Sequence, residues 1–389
     1  MNDIHNYAGR LIRIEKLIQA SRKIKEQNKL TIFRFRNYLV AQGLSKPRIE
    51  KYLRTLLLLG SLLSKNFEKT TKHDVIEIVG RVESKRWSGH TKHDFKVCVK
   101  RFYKWLRGIE KKGIYPDEVE WISTVMKNDN RLPEEILTEE EVKKLVQAAN
   151  NPRDKALILV LYESGCRVGE FLPIKIRNVQ FDEYGAVIMV NGKTGSRRIR
   201  LISSVPALAN WIQHHPYRDN PEAEVWLSLA TNRRYKPLNY RGLNKVLRHY
   251  ANKCSITKRV NPHSFRHARA THLASKLTES QLKELMGWTM GSSMASIYVH
   301  LSGRDVDNAL LELQGLKTQA TNESKLKLKI CPRCDERNSP DAKYCKRCAL
   351  TLDVETLEWE NRMMDELLRV PAVKRYLRNA LKKNVTIMK

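Results

Sequence analysis

Only one stretch of this chain has the pattern of a sheet. Ala186 to Val190 and Arg197 to Ile202 run apolar or alternate, and the residues between them, Asn191-Gly192-Lys193-Thr194-Gly195-Ser196, are turn formers. That pattern predicts a β-hairpin with Lys193 near its tip. Nearly every other periodic segment repeats at the spacing of a helix, so the expected fold class is mainly α, with a small β-hairpin or sheet.

The chain divides by its breaks. Its 389 residues are enough for two domains with their own cores plus attachments. Residues 1–28 read as a basic amphipathic helix with Leu11, Ile14, Leu17 and Ile18 on one face; it either caps the next domain or serves as a contacting arm. Residues 29–110 read as an all-α domain of four helices, at 30–42, 46–65, 72–83 and 88–107, separated at Gly43, Asn66 and Ser88-Gly89. Residues 111–137, with Gly113, Pro116 and Pro133, read as a linker that contains a short helix at EVEWISTVM. Residues 138–316 form the next domain. Thr138 and Glu141 make a capping box ahead of VKKLVQAA, a helix at 153–163 follows, and helices resume over 206–253 around a basic connection at Arg233, Arg234 and Lys236. Asp305 to Leu313 is apolar on one face, which either packs on its own domain or docks into a neighbour.

Charge narrows the partner. There are 72 Lys and Arg against 42 Asp and Glu, a formal +30, which favours a polyanion, most simply nucleic acid. No apolar run is long enough to span a bilayer, and the first residues lack a signal-peptide pattern, so the expected location is cytoplasmic, with no membrane.

Of seven cysteines, Cys98, Cys166 and Cys254 stand singly, while Cys331, Cys334, Cys345 and Cys348 form two CxxC pairs separated by ten residues. Four thiolates at that spacing suit a tetrahedral Zn²⁺, and a ribbon over 328–352 has no core without the metal. A closed all-thiolate site is structural rather than catalytic. Residues 353–389 read as a helical tail, with helices at 354–369 and 372–383 broken at Pro371, and Leu357, Met364, Leu367 and Leu368 forming one seam.

The most informative stretch is 263–300, HSFRHARATHLASKLTESQLKELMGWTMGSSMASIYVH. His263 and Arg266, at i and i+3, share a helix face and can address one anion. Asn261 and Pro262 open that helix, a second runs from Ser275 to Met286 and stops at Gly287, and a third from Ser292 to His300 carries Tyr298. HxxR, a Gly-Trp step and Tyr-x-His resemble the C-terminal half of the tyrosine recombinase (phage-integrase and Xer-like) signature, in a form similar to archaeal integrases. The other half is present upstream, as Gly165-Cys166-Arg167-Val168-Gly169-Glu170 and Lys193. Motifs in this order over about 130 residues are far more specific than any one alone.

The resemblance implies a core-binding domain at 29–110 and a recombinase catalytic domain at 138–316. It implies that Tyr298 attacks the scissile phosphate to give a 3′-phosphotyrosyl bond and a free 5′-hydroxyl. Arg167 and Arg266 then grip the non-bridging oxygens, whose geometry suits guanidinium forks. Lys193 is the general acid for the 5′-oxygen, His263 assists proton movement at the tyrosine or donates to the phosphate, Trp288 donates its indole N–H to the same oxygens, and Glu170 orients the cluster. No ATP or catalytic metal is required, and the working unit is a homotetramer on two DNA sites. Trp288 replaces the usual histidine of its motif, and its interval to Tyr298 is one residue longer than the commonest spacing. The expected function is a site-specific DNA recombinase for integration, excision or resolution. The alternatives are a type IB topoisomerase-like relaxing enzyme and a non-catalytic DNA-binding protein.

Overall fold

The computed structural model describes residues 3–125, 136–192, 195–274, 276–300, 311, 314–316, 324 and 326–376. Lys193, the Asp305 to Leu313 helix and the tail beyond Tyr376 lie outside the described residues. The chain separates into two compact units, Met1–Asn130 and Arg131–Lys389.

The first unit is helical. It comprises α1 (Tyr7–Ala20), α2 (Glu26–Ala41), α3 (Lys46–Leu62), α4 (Lys72–Glu83), α5 (Gly89–Leu106) and the single turn α6 (Asp117–Glu120). Ile14 and Ile18 of α1 are buried in the same core as α2 to α5, so the lead-in helix caps this unit; Leu17, expected on its apolar face, is exposed. Phe35, Phe67 and Phe102 are fully buried and meet edge to face, with ring centroids 4.9–5.3 Å apart. The aromatics interleaved with cations here are therefore largely core. Residues 111–137 begin as part of this unit rather than as a linker, because Val119 and Ile122 are buried in its core.

The second unit opens with α7 (Glu139–Ala148), whose start is the Thr138–Glu141 capping box. Next come α8 (Pro152–Ser164), the one-turn α9 (Val168–Phe171), and strands β1 (Val179–Asp182), β2 (Gly185–Gly192) and β3 (Gly195–Leu201). They are followed by α10 (Val205–Gln213), α11 (Tyr240–Lys253), α12 (Pro262–Ala274), α13 (Glu279–Met286) and α14 (Met294–His300). Helix α8 is buried on every side and packs against α7, α10, α12 and β3.

The sheet is an antiparallel meander in the order β1-β2-β3. Strand β1 was not expected: VQFD is short, mostly exposed and too polar to alternate visibly. Pairing runs through Gly192↔Gly195, so the strands extend into the stretch 191–196 whose turn chemistry implied a loop. Helix α13 begins at Glu279, not Ser275, because Thr278 and Gln281 cap each other's backbone N–H groups.

The C-terminal part holds β4 (Lys329–Ile330), β5 (Arg337–Asn338) and α15 (Val354–Arg369). Leu357, Met364, Leu367 and Leu368 of α15, read as a seam, are exposed in the single chain.

One carboxylate fastens the end of the sheet to α8. Glu163 Oε1 accepts from the Ile202 and Ser203 N–H groups at 2.9 Å, and Oε2 from the Ser204 N–H at 2.8 Å and its hydroxyl at 2.6 Å. Replacing Glu163 by Ala orphans these donors, so urea unfolding should show a loss of about 3 kcal/mol or more; a loss below about 1 kcal/mol would contradict the assignment.

Candidate active site

The site is assembled where the ends of α8 and α13 meet. Gly165 ends α8 in the left-handed region at φ 56°, where a Cβ would come within 2.9 Å of the Met286 methyl. Gly287 does the same for α13 at φ 61°, and a Cβ there would meet the Arg197 guanidinium at 2.5 Å. Glycine permits both turns and the close packing behind them.

The turns expose carbonyl oxygens at the negative ends of two helices, and arginines occupy them. Arg266 Nη1 donates to the Gly165 carbonyl at 2.8 Å and Nη2 to the Met286 carbonyl at 2.6 Å. Arg167 Nη2 donates to the Gly287 carbonyl at 3.0 Å. Arg266 is only 4% exposed. Burial, with the charge of Arg167 beside it, pulls its guanidinium down to about 10, which leaves it cationic at neutral pH.

Glu170 lies beneath the arginines, one turn after Arg167. Its carboxylate accepts from Arg167 Nη1 at 3.0 Å, from the Arg167 backbone N–H at 2.9 Å and from Arg197 Nη2 at 2.7 Å. Burial alone raises a carboxyl, but the bonds from Arg197 and Arg167 outweigh it and hold Glu170 below its usual value. Three guanidinium groups against one carboxylate leave a positive surplus suited to an anion.

A cavity of about 550 Å³ opens over this cluster, lined by Arg167, Arg266, His263, Trp288 and Tyr298 among others. Among the described residues, the motif residues Arg167, His263, Arg266, Trp288 and Tyr298 thus converge on one cavity, and Glu170 contacts Arg167 beside it. Helix α12 presents His263 and Arg266 on one face after Asn261, whose side chain accepts from the Ser264 N–H at 3.0 Å. The Trp288 ring contacts both neighbours, with the Arg266 guanidinium 5.4 Å from its centroid and the Tyr298 ring stacked at 5.5 Å and 12°. Tyr298 is 3% exposed, and its hydroxyl is hydrogen-bonded to Nδ1 of His267. The extra residue between Trp288 and Tyr298 therefore does not turn the tyrosine away.

Two residues that the sequence offered only as competitors of His263 and Lys193 join the cluster. Arg197 follows the hairpin lysine, but parity shows its direction: Arg197, Ile199 and Leu201 face inward together. His267 stands at i+4 from His263, on the same face of α12, with ring centroids 4.1 Å apart. Cys166, beside Arg167, is fully buried and its thiol is pushed up to about 11 by burial, which keeps it protonated.

A groove of about 1120 Å³ lies alongside, lined by Arg241, Lys245 and Arg248 of α11 and by Arg233, Lys258 and Arg259. Tyr240 lines both spaces, so the basic groove adjoins the cavity. The four ribbon cysteines form a separate cluster with all sulfurs within 4.8 Å of one another. Three of the S···S distances are 3.5–3.6 Å. A tetrahedron with Zn–S bonds of about 2.3 Å has edges of about 3.8 Å, so the cluster fits that ion.

Residues 135–304 match the phage integrase family. The chain is 27% identical over 288 residues to the tyrosine recombinase XerA of Pyrococcus horikoshii, covering 73% of this chain and 93% of that protein. Residues 135–304 thus carry a phage integrase domain, and most of the chain is similar to tyrosine recombinases. Its fold matches that of the XerH recombinase solved on a palindromic difH substrate, with TM-score 0.56 and 18% identity over 78% of this chain and 96% of the other. A lambda integrase tetramer solved on a Holliday junction matches with TM-score 0.52 and 17% identity, over 69% and 76%. No described helix is long and apolar enough to cross a membrane.

The lowered Glu170 carboxyl makes its contribution to stability pH-dependent. Because the folded value lies below the unfolded one, the contribution is complete above about pH 4.3 and is lost as pH falls through the folded value. Glu170→Gln should cost about 3–5 kcal/mol at neutral pH, since Arg197 is left buried without its charge partner. Urea unfolding should show that deficit shrinking as pH falls below about 4.3; a deficit independent of pH would contradict the assignment.

Proposed function

We propose that this tyrosine recombinase cuts and rejoins double-stranded DNA at specific sites, with Tyr298 as the nucleophile. The observation that carries the reading is the convergence of Arg167, Arg266, His263, Trp288 and Tyr298 on one cationic cavity. A phosphodiester repels nucleophiles and has a poor leaving group, so the site has to neutralise charge and place an attacking atom.

Arg167 and Arg266 hold the non-bridging oxygens. Each already spends donors on helix-end carbonyls, so their orientation is fixed before DNA arrives and little reorganisation is required. Trp288 and His263 line the same cavity and donate to the phosphate, and Glu170 orients Arg167. Lys193, at the hairpin turn, protonates the departing 5′-oxygen. Tyr298 forms the 3′-phosphotyrosyl bond, and a 5′-hydroxyl from another strand reverses the step, with no ATP and no catalytic metal.

The basic groove beside the cavity carries the duplex backbone, and residues 29–110 supply a second DNA-binding surface as the core-binding domain. Exchange between two sites takes place within a homotetramer in the cytoplasm. Relaxation in the manner of a type IB topoisomerase has no separate observation in its favour. A non-catalytic binding role leaves the assembled tyrosine and arginines without a purpose. The four-cysteine cluster holds a structural Zn²⁺, which would be bound by Cys331, Cys334, Cys345 and Cys348.

Two outcomes test this. On nicked suicide DNA, wild type should give a detergent-resistant protein–DNA band, and Tyr298→Phe should bind with unchanged affinity and give none; a band from the Phe variant would refute the nucleophile. Elemental analysis should find one zinc per chain, and Cys345→Ser should abolish it and unfold the ribbon; a metal-free ribbon with unchanged protease resistance would refute the metal.

A further inference from the structure

We propose that His267, rather than the His263 of the HxxR motif, takes the phenolic proton of Tyr298 during attack. The inference rests on the reading of Tyr298 as nucleophile and adds a catalytic residue to it. A phenol attacks phosphorus well only if its proton leaves as the new bond forms, and that proton needs an acceptor within hydrogen-bond reach. Tyr298 is 3% exposed, so its phenol is largely withdrawn from bulk solvent although it borders the cavity. The hydroxyl is hydrogen-bonded to Nδ1 of His267. Neutral imidazole is a base matched to neutral pH, and the tautomer with its hydrogen on Nε2 presents Nδ1 as the acceptor.

The placement separates the two histidines by task. His263 lines the cavity that receives the phosphate, whereas His267 does not. His267 meets the tyrosine from behind that lining, and the two imidazoles pack edge to face, with centroids 4.1 Å apart and planes at 78°. The Trp288 ring stacks on the phenol and limits its rotation, so the hydroxyl is held against His267 by packing as well as by the hydrogen bond.

In the forward step the bond from Tyr298 Oη to phosphorus forms and the bond from phosphorus to the 5′-oxygen breaks. The phenolic proton passes to His267 Nδ1, and the 5′-oxygen receives a proton from the Lys193 ammonium. On rejoining, each transfer runs backwards: His267 returns its proton to the leaving phenol and the lysine takes one from the incoming 5′-hydroxyl. No external oxidant, reductant or cofactor enters the balance.

The test is single-turnover adduct formation on nicked suicide DNA with full-length wild type, His267→Asn and His267→Ala. The Asn Oδ1 still accepts a hydrogen bond from the phenol but cannot take its proton. The Asn and Ala variants should each form the adduct about 100-fold or more slowly. DNA affinity and thermal midpoint in the Asn variant should match wild type, which separates lost chemistry from lost folding. An Asn variant within about threefold of wild type would overturn the proposal, since holding the phenol would then suffice. Failure of the nucleophile assignment looks different: an adduct would persist in Tyr298→Phe whatever residue occupies position 267.

Discussion

The second unit depends on guanidinium groups seated on helix-end carbonyls. Arg266 ties the Gly165 turn after α8 to the end of α13, and Arg167 reaches the carbonyl of Gly287 one residue further on. Such donors satisfy carbonyls that have no partner within their own helix, and the helix dipoles favour positive charge there. The same contacts concentrate cations around a cavity, which is costly unless an anion compensates. Glu170 offsets part of that cost in the free protein, and a phosphate completes it in the proposed reaction.

This arrangement accounts for residues that otherwise look unrelated. Gly165 and Gly287 provide the left-handed turns that free the carbonyls, and their lack of a side chain admits Met286 and Arg197 behind them. Glu163 fixes the end of β3 to α8, and Arg197 on that strand reaches Glu170, so the hairpin that bears Lys193 is coupled to the arginine cluster through a buried carboxylate. Strand β3 thus relies on the same buried carboxylate that orients Arg167.

Much of this was legible in the sequence because the signals were local. The capping box at Thr138, the four helices of the first unit and the glycine stops at 165 and 287 are set by neighbours in the chain. The spacing of HxxR placed His263 and Arg266 together for the same reason. What escaped depended on partners distant in sequence. Strand β1 is defined by pairing with β2 rather than by its own pattern, Val119 and Ile122 count as core only against the first unit, and His267 is distinguished from other histidines by Tyr298, 31 residues away. Arg197 was the near miss, since strand parity alone points it inward.

The most direct test of the account is to digest the trapped DNA adduct and locate the modified residue by mass spectrometry. The account requires a nucleotide linked through its 3′-phosphate to Tyr298. A nucleotide on any other of the 14 tyrosines, or a 5′-linkage, would contradict it.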